Sequence, residues 1–281
     1  MDILQTSLMG VVQGLSEFLP VSSSAHLVFT ADLYNHFTGA TLDIESSEEV
    51  FLDIMLHLGT LFAVLMFFKQ EVIDLTKGLI NGIKTKDFNE PNASMALYII
   101  IGTIFTLLVA FPLKELTEDL VDNPFIVGIL LVITGTYLLV SEYISKRFQD
   151  KDDKITLKRA ILMGIAQGLA AFPGFSRSGW TIATGLCSKL NRVTAAKFSF
   201  LLSIPIILGT SMVYPMLEID MNEIVTYNWA AIIIGTIISW IVGYFCIKYF
   251  LKFLAKFSLA VFAYYCIILG AGMAIFFKFF T

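Results

Sequence analysis

The chain has 281 residues, of which 57% are hydrophobic and only 15% charged, and its mean hydropathy is +0.78. Soluble domains usually carry about 25% charged residues, so this composition excludes an ordinary water-soluble globule and points to a protein dissolved in lipid. The net charge is −4 and the sequence holds no basic block, which excludes nucleic acid as a partner and makes membrane lipids the immediate surroundings.

Taken in chain order, the first apolar stretch, 3–33, opens after Asp2, has no basic segment before it and contains Glu17 and His26. It therefore reads as part of the fold rather than as a signal peptide. Three runs nearly free of charge follow at 51–68, 94–113 and 124–141, and three more at 198–217, 228–247 and 258–279. Each approaches the roughly 20 residues that a helix needs to cross hydrocarbon. About six spanning helices are expected. Cys187, Cys246 and Cys266 show neither pairing nor metal spacing and read as small hydrophobes.

The loops between these runs differ in charge. Residues 31–50 carry Asp32, Asp43, Glu45, Glu48 and Glu49 without a single Lys or Arg. Residues 69–93 bring Lys69, Lys77, Lys84 and Lys86, and 114–123 set four acids against Lys114. The stretch 142–159 holds Lys146, Arg147, Lys151, Lys154, Lys158 and Arg159, whereas 218–227 has no basic residue and 248–257 has three lysines. By the positive-inside rule, the basic loops face the cytoplasm and the acidic ones the outside.

One interval breaks the alternation. The apolar stretch 160–186 is basic on both flanks, with Lys189, Arg192 and Lys197 after it, so it must enter and leave on the same side. Its centre, Phe172-Pro173-Gly174-Phe175-Ser176-Arg177-Ser178-Gly179, supplies the turn formers for a reversal. This predicts a re-entrant hairpin.

The N-terminal stretch repeats it without a gap. Gly10, Gln13, Gly14, Leu15, Phe18, Ser22 and Ser24 recur as Gly164, Gln167, Gly168, Leu169, Phe172, Ser176 and Ser178. Three crossings separate the copies, and an odd number turns the second one over. The expected fold is all-α: a polytopic membrane protein built as an inverted-topology repeat, with two re-entrant helical hairpins that meet near mid-membrane. The first repeat covers 1–141 with its hairpin at 3–33. The second covers 157–281 with its hairpin at 157–190, and 142–156 is a cytoplasmic linker.

Polar residues collect at the two tips. Gln13 and Glu17 are one helical turn apart, followed by Ser22, Ser23, Ser24 and His26, while the second tip offers Gly174, Ser176, Arg177 and Ser178. A charge at membrane depth costs at least about 2.5–3.5 kcal/mol on insertion scales, so such residues are functional candidates. Serine-rich turns leading into helices make anion nests, and a guanidinium fork matches phosphate oxygens. These features point to oxyanion recognition. A plain Glu17–Arg177 structural pair leaves the serines and His26 without a role. Glu17 suits a divalent cation or general-base work, and His26, three residues beyond Ser23, suits a base, acid or nucleophile. Asp53 and His57, four apart on the first spanning helix, form a further candidate pair.

The segments Gln13-Gly14-Leu15-Ser16-Glu17-Phe18-Leu19-Pro20-Val21-Ser22-Ser23-Ser24-Ala25-His26 and Pro173-Gly174-Phe175-Ser176-Arg177-Ser178-Gly179 strongly resemble the undecaprenyl-pyrophosphate phosphatase family, also called bacitracin resistance proteins. Phe51-Leu52-Asp53-Ile54-Met55-Leu56-His57-Leu58-Gly59-Thr60 resembles that family as well, so the likeness runs along essentially the whole chain. Two positions depart from the pattern. Gln13 stands at the first position of an acid pair, which leaves Glu17 as its one carboxylate, and Ala25 stands where Gly is usual.

The resemblance implies hydrolysis of undecaprenyl pyrophosphate to the monophosphate, in the bacterial inner membrane with the site facing outward. It implies recycling of the lipid carrier for peptidoglycan, tolerance of bacitracin and dependence on Mg²⁺ or Ca²⁺, with Glu17 as metal ligand. Catalysis then falls to Glu17, Ser23, His26 and Arg177, and pyrophosphate binding to Gln13, Ser22, Ser24, Gly174, Ser176 and Ser178. The nucleophile is left open among Ser23, His26 and water. The sequence leaves room for a homodimer. The rival reading is a transporter or flippase of a polyprenyl phosphate, which would share the anion site. The uneven equipment of the two tips argues for chemistry instead, because Glu17 and His26 face Ala171 and Trp180 in the alignment.

Overall fold

In the computed structural model, residues 2–38, 47–121, 123–148, 151–218 and 226–279 are described. Parts of the expected acidic loops (39–46, 122, 219–225) and of the basic linker (149–150) lie outside them. Among the described residues the chain forms twelve α-helices and no strand. These are α1 (Ile3–Ser16), α2 (Ser23–Thr38), α3 (Ser47–Phe67), α4 (Lys69–Thr85), α5 (Pro91–Ala110), α6 (Lys114–Val121), α7 (Pro124–Lys146), α8 (Leu157–Leu169), α9 (Arg177–Cys187), α10 (Arg192–Glu218), α11 (Trp229–Leu254) and α12 (Ala260–Phe279). A 3-10 turn at Phe111–Leu113 joins α5 to α6. Among the described residues six helices are long and apolar enough to cross a membrane, and they coincide with the six expected runs. The chain is a multi-pass membrane protein.

Local chemistry sets most helix starts. Asp2 caps α1 through the Gln5 amide, Thr156 caps α8 through the Arg159 amide and Ser176 caps α9 through the Gly179 amide. Pro91 and Pro124 occupy first-turn positions, where the missing N–H costs nothing. Outward faces are apolar too: Leu108, Ile268 and Val261 are each more than 60% exposed. Such patches would be a liability in water and match a lipid surround.

Helix α4 falls in a stretch that reads as a charged cytoplasmic loop by its lysines. Val72, Leu75 and Leu79 recur on one face and line an apolar crevice against Ile99 and Ile100 of α5 and Ile204 and Pro205 of α10. The helix is amphipathic rather than spanning, a pattern that a count of charges misses. Farther along the chain, the Arg159 guanidinium lies 2.7 Å from Asp152 and holds that carboxyl below its usual range.

Each short helix pair, α1–α2 and α8–α9, seats its first helix on a helix from the opposite half of the chain, and the contacts correspond. A Cβ at Gly10 would meet the Gly235 carbonyl of α11 at 2.5 Å, and one at Gly14 would meet the Ser239 carbonyl at 2.8 Å. In the second pair, Gly164 sits as tightly on the Gly102 carbonyl of α5, and a Cβ at Gly168 would lie 2.7 Å from the Thr106 carbonyl. Both partners are spaced four residues apart on their helix, as are both glycine pairs. Small residues let backbones approach this closely where packing alone drives association in lipid. Cys246 and Cys266 are buried and free, and their thiols contact the Leu15 and Pro20 carbonyls of the first pair.

One carboxylate ties together three helix ends. Glu142 of α7 accepts from Nε and Nη2 of Arg192 at 2.7 and 2.5 Å and from the Leu259 amide at 2.8 Å. This joins the end of α7 to the starts of α10 and α12.

Candidate active site

The site forms where the turn after α1 meets the turn after α8. Helix α1 ends at Ser16 and the chain turns through residues 17–22, where Ser22 takes a left-handed conformation (φ 70°) and α2 begins. The second turn uses Gly174 at φ 91°, and α9 starts at Arg177. The tips touch. Ser178 Oγ donates to the Leu19 carbonyl at 2.8 Å, and the Gly174 amide approaches Ser24 Oγ at 3.4 Å.

Both turns are capped alike. Ser22 Oγ accepts from the Ala25 amide and lies 3.2 Å from Ser24 Oγ, while Ser176 Oγ accepts from the Gly179 amide and lies 3.2 Å from Ser178 Oγ. The opening amides of α2 and α9 have no carbonyl one turn earlier in their own helix. Two positive helix ends therefore converge on one place, which favours an anion there.

Glu17, buried at 7% exposure, is the hub. Its Oε1 accepts from Arg177 Nη2 at 2.5 Å. Its Oε2 accepts from Gln13 Nε2 and from Ser23 Oγ, each at 3.0 Å, and lies 3.6 Å from His57 Nε2. His57 Nδ1 is 2.9 Å from the Asp53 carbonyl and 3.5 Å from its carboxylate. The Asp53–His57 pair, a further candidate in the sequence, thus extends the Glu17 cluster. The Glu17–Arg177 ion pair forms, and Gln13, Ser23 and His57 share the same carboxylate.

His26 is arranged differently from the expectation. Its Nδ1 is 2.7 Å from the Ser22 carbonyl and its Nε2 2.7 Å from the Tyr265 hydroxyl on α12, so both ring nitrogens are engaged away from Ser23. The hydroxyl of Ser23 is paired with Glu17 instead. Helical spacing put His26 within reach of Ser23 but did not fix which way the ring turns.

Three further residues hold the site and carry no signal in the sequence. Thr134 of α7 takes bonds from the Ser176 amide and from Trp180 Nε1, and donates to the Gly174 carbonyl. The Ser199 carbonyl receives Arg177 Nη1 at 3.5 Å. Tyr265 is the third. All lie in apolar runs, and only the long-range packing reveals them.

A cavity of about 420 Å³ opens beside the cluster, between α1, α2, α3 and α10. Ser24, Asp53 and His57 form its polar edge, and Met9, Leu27 and Leu56 its apolar wall. An apolar pocket with a few convergent polar groups is the usual form of a small-ligand site.

For a divalent ion the protein offers little of its own. Among the described residues no group of three His, Cys, Asp or Glu side chains is close enough to hold a metal. Gln13 Oε1, however, is buried without a partner beside Glu17. One carboxylate and one amide oxygen fit an ion that keeps its waters and shares substrate phosphate oxygens, as Mg²⁺ commonly does.

The profile of the family described as bacitracin resistance protein BacA matches residues 6–272. The chain is 41% identical over 283 residues to the undecaprenyl-diphosphatase of Methanosphaera stadtmanae, with 96% of both chains covered. It is 40% identical to that of Methanobrevibacter smithii and 36% to that of Halothermothrix orenii, again over 96% of each chain. With a match from the first helix to the last, the chain belongs to the bacitracin resistance protein BacA family.

Proposed function

We infer that this chain is a phosphatase that hydrolyses undecaprenyl pyrophosphate to undecaprenyl phosphate and inorganic phosphate. The observation that carries the reading is the convergence of Ser23, Glu17 and Arg177, from two turns 160 residues apart, on one buried point between two helix N-termini. The relatives' name gives the substrate class, and the apolar wall of the adjoining cavity suits an isoprenoid chain.

The geometry favours Ser23 as nucleophile. At rest, Arg177 occupies Glu17 Oε1 and blunts the carboxylate as a base. An incoming pyrophosphate competes for the guanidinium fork through charge-assisted bonds, which frees Glu17 to take the proton of Ser23 Oγ from 3.0 Å. The Ser23 oxygen then bonds to the terminal phosphorus as the bond to the bridging oxygen breaks. Undecaprenyl phosphate leaves with the proton handed on by Glu17. The restored carboxylate then takes a proton from the water that attacks the phosphoserine, and returns it to Ser23 Oγ as the serine–phosphorus bond breaks. Arg177 and the amides of both turns offset the charge on the transferring group. A Mg²⁺ or Ca²⁺ held by Glu17 and Gln13 Oε1 together with substrate oxygens would add neutralisation of phosphate charge. His57, oriented by Asp53, supports Glu17 from the far side.

The same reading extends to the membrane. The corresponding glycine contacts of α1 on α11 and of α8 on α5 support an inverted repeat, 1–141 and 157–281, joined by the linker 142–156. The turns at 17–22 and 170–176 then lie at mid-membrane in two re-entrant hairpins. The acidic loops support a cavity that opens toward the outside of the plasma membrane. Both tips come from one chain, so a single copy completes the site even within a homodimer.

The test is phosphate release from undecaprenyl pyrophosphate by purified protein, with label on the terminal phosphate and a neutral detergent quench that preserves phosphoserine and phosphohistidine alike. Label on Ser23, abolished by Ser23→Ala and by EDTA, is the expected result. Label on His26 would transfer the nucleophile's role there. Release that persists in Ser23→Ala without any labelled protein would leave water as the nucleophile. Absence of release from folded wild-type protein would end the phosphatase reading.

A further inference from the structure

Ser22 is strained where it stands. Its φ of 70° lies in the left-handed region that non-glycine residues seldom adopt, a conformation that survives only where the surroundings hold it. The matching residue of the second tip, Ser176, sits at an ordinary φ of −93°. What holds Ser22 is therefore peculiar to the first tip.

The holding groups can be named. The Ser22 carbonyl only accepts hydrogen bonds, so His26 Nδ1, 2.7 Å away, carries the ring proton. Nε2 of the neutral ring is then the acceptor, and the Tyr265 hydroxyl, 2.7 Å away, is its donor. The two rings lie nearly parallel, with centroids 5.7 Å apart and planes at 17°. Trp180 occupies the place of His26 in the second tip. Its Nε1 bonds Thr134 and leaves the Ser176 carbonyl alone. Only at the first tip does a ring one turn onward grip the carbonyl of the capping serine.

We propose that Tyr265 is a positioning residue for the phosphoryl transfer: through His26 it holds Ser22 in its left-handed turn and so presents Ser23 Oγ to Glu17. The Tyr265 hydroxyl fixes His26 as the Nδ1–H tautomer, that proton fixes the Ser22 carbonyl, and Ser23 follows directly. Helix α12 reaches the tip beside it, since the Cys266 thiol contacts the Pro20 carbonyl. The nucleophile of the first half is in this way set by a helix of the second. The inference rests on the phosphatase reading for its consequence and on geometry alone for the clamp.

The experiment pairs turnover with ¹⁵N NMR of His26 in detergent-solubilised full-length protein. Tyr265→Phe keeps the stacked ring and removes only the hydroxyl. The expected result is a kcat about tenfold lower with KM within about twofold, since small misplacements of a reacting group are costly. The His26 shifts should report a protonated Nδ1 in wild type and, in the variant, an Nε2 that has lost its donor. In a His26→Ala background, Tyr265→Phe should lower kcat by no more than about twofold, because the two act through one chain of bonds. Wild-type kcat in Tyr265→Phe, a wild-type His26 protonated on Nε2, or losses that multiply in the double variant would each overturn the proposal. Wild-type protein that releases no phosphate would sink the phosphatase reading, while the ¹⁵N shifts would still decide the clamp.

Discussion

At the first tip, Ser22 caps α2 and is followed by Ser23, Ser24, Ala25 and His26. At the second, Ser176 caps α9 and is followed by Arg177, Ser178, Gly179 and Trp180. The capping bonds and the hydroxyl–hydroxyl contacts are the same in the two, down to a 3.2 Å separation. The differences that change the chemistry fall on three positions. Glu17, Ser23 and His26 stand where the other tip has Ala171, Arg177 and Trp180. The repeated frame supplies two anion-binding turns, and the unequal positions divide the labour: a nucleophile and its base on one turn, a fixed cation on the other. Transport of an anion through the frame would not call for that division.

The largest expected effect comes from removing the cation. Arg177→Ala should lower kcat/KM by about 10³-fold, the low end of what an arginine at a transferring phosphoryl group contributes. Arg177→Lys should recover only part of it, because an ammonium cannot bridge Glu17 and a phosphate with one planar fork. The measurement is steady-state phosphate release. Wild-type activity in Arg177→Lys would mean that the second tip supplies charge without geometry. A loss of under tenfold in the alanine variant would move Arg177 out of the reaction altogether.

A smaller effect tests the shared frame. Gly10→Ala and Gly164→Ala each put a methyl group against a glycine carbonyl of the opposite half. Each should cost about 1–3 kcal/mol, as overpacking of a tight contact does, and the two costs should agree. Thermal unfolding in detergent would show them as matched falls in Tm. A large cost at one position and none at the other would mean that the two hairpins are seated differently, and that the repeat is one of sequence more than of packing.

Much of this was legible without coordinates. Loop charges and apolar run lengths pointed to the six spanning helices, because crossing a bilayer imposes a length and an absence of charge that few other folds satisfy. The constant offset between residues 10–24 and 164–178 brought the residues of the site to two turns. What stayed hidden depends on direction. Helix α4 was concealed because its lysines mask the spacing of Val72, Leu75 and Leu79. Spacing puts His26 within reach of Ser23 because both lie on one helix start, whereas the fold turns that ring toward Tyr265. Thr134 and Tyr265 are polar groups in apolar runs, and only packing across the two halves tells them from ordinary helix residues.

The finest test asks whether Trp180 is a structural counterpart of His26 or a working one. Its indole N–H bonds Thr134, which also takes the Ser176 amide and donates to the Gly174 carbonyl. Its ring packs on Phe175, with centroids 4.4 Å apart. Trp180→Phe would keep an aromatic ring against Phe175 and lose one hydrogen bond, a change of about 0.5–1.5 kcal/mol. Stability should fall by that amount and kcat by less than about tenfold, because Thr134 retains its bonds to Ser176 and Gly174. His26→Phe, the equivalent change at the first tip, frees the strained Ser22 carbonyl and should cost far more in kcat than in Tm. If the two phenylalanine variants lost activity alike, the second tip would be positioned as actively as the first. The division of labour would then lie in Glu17, Ser23 and Arg177 alone.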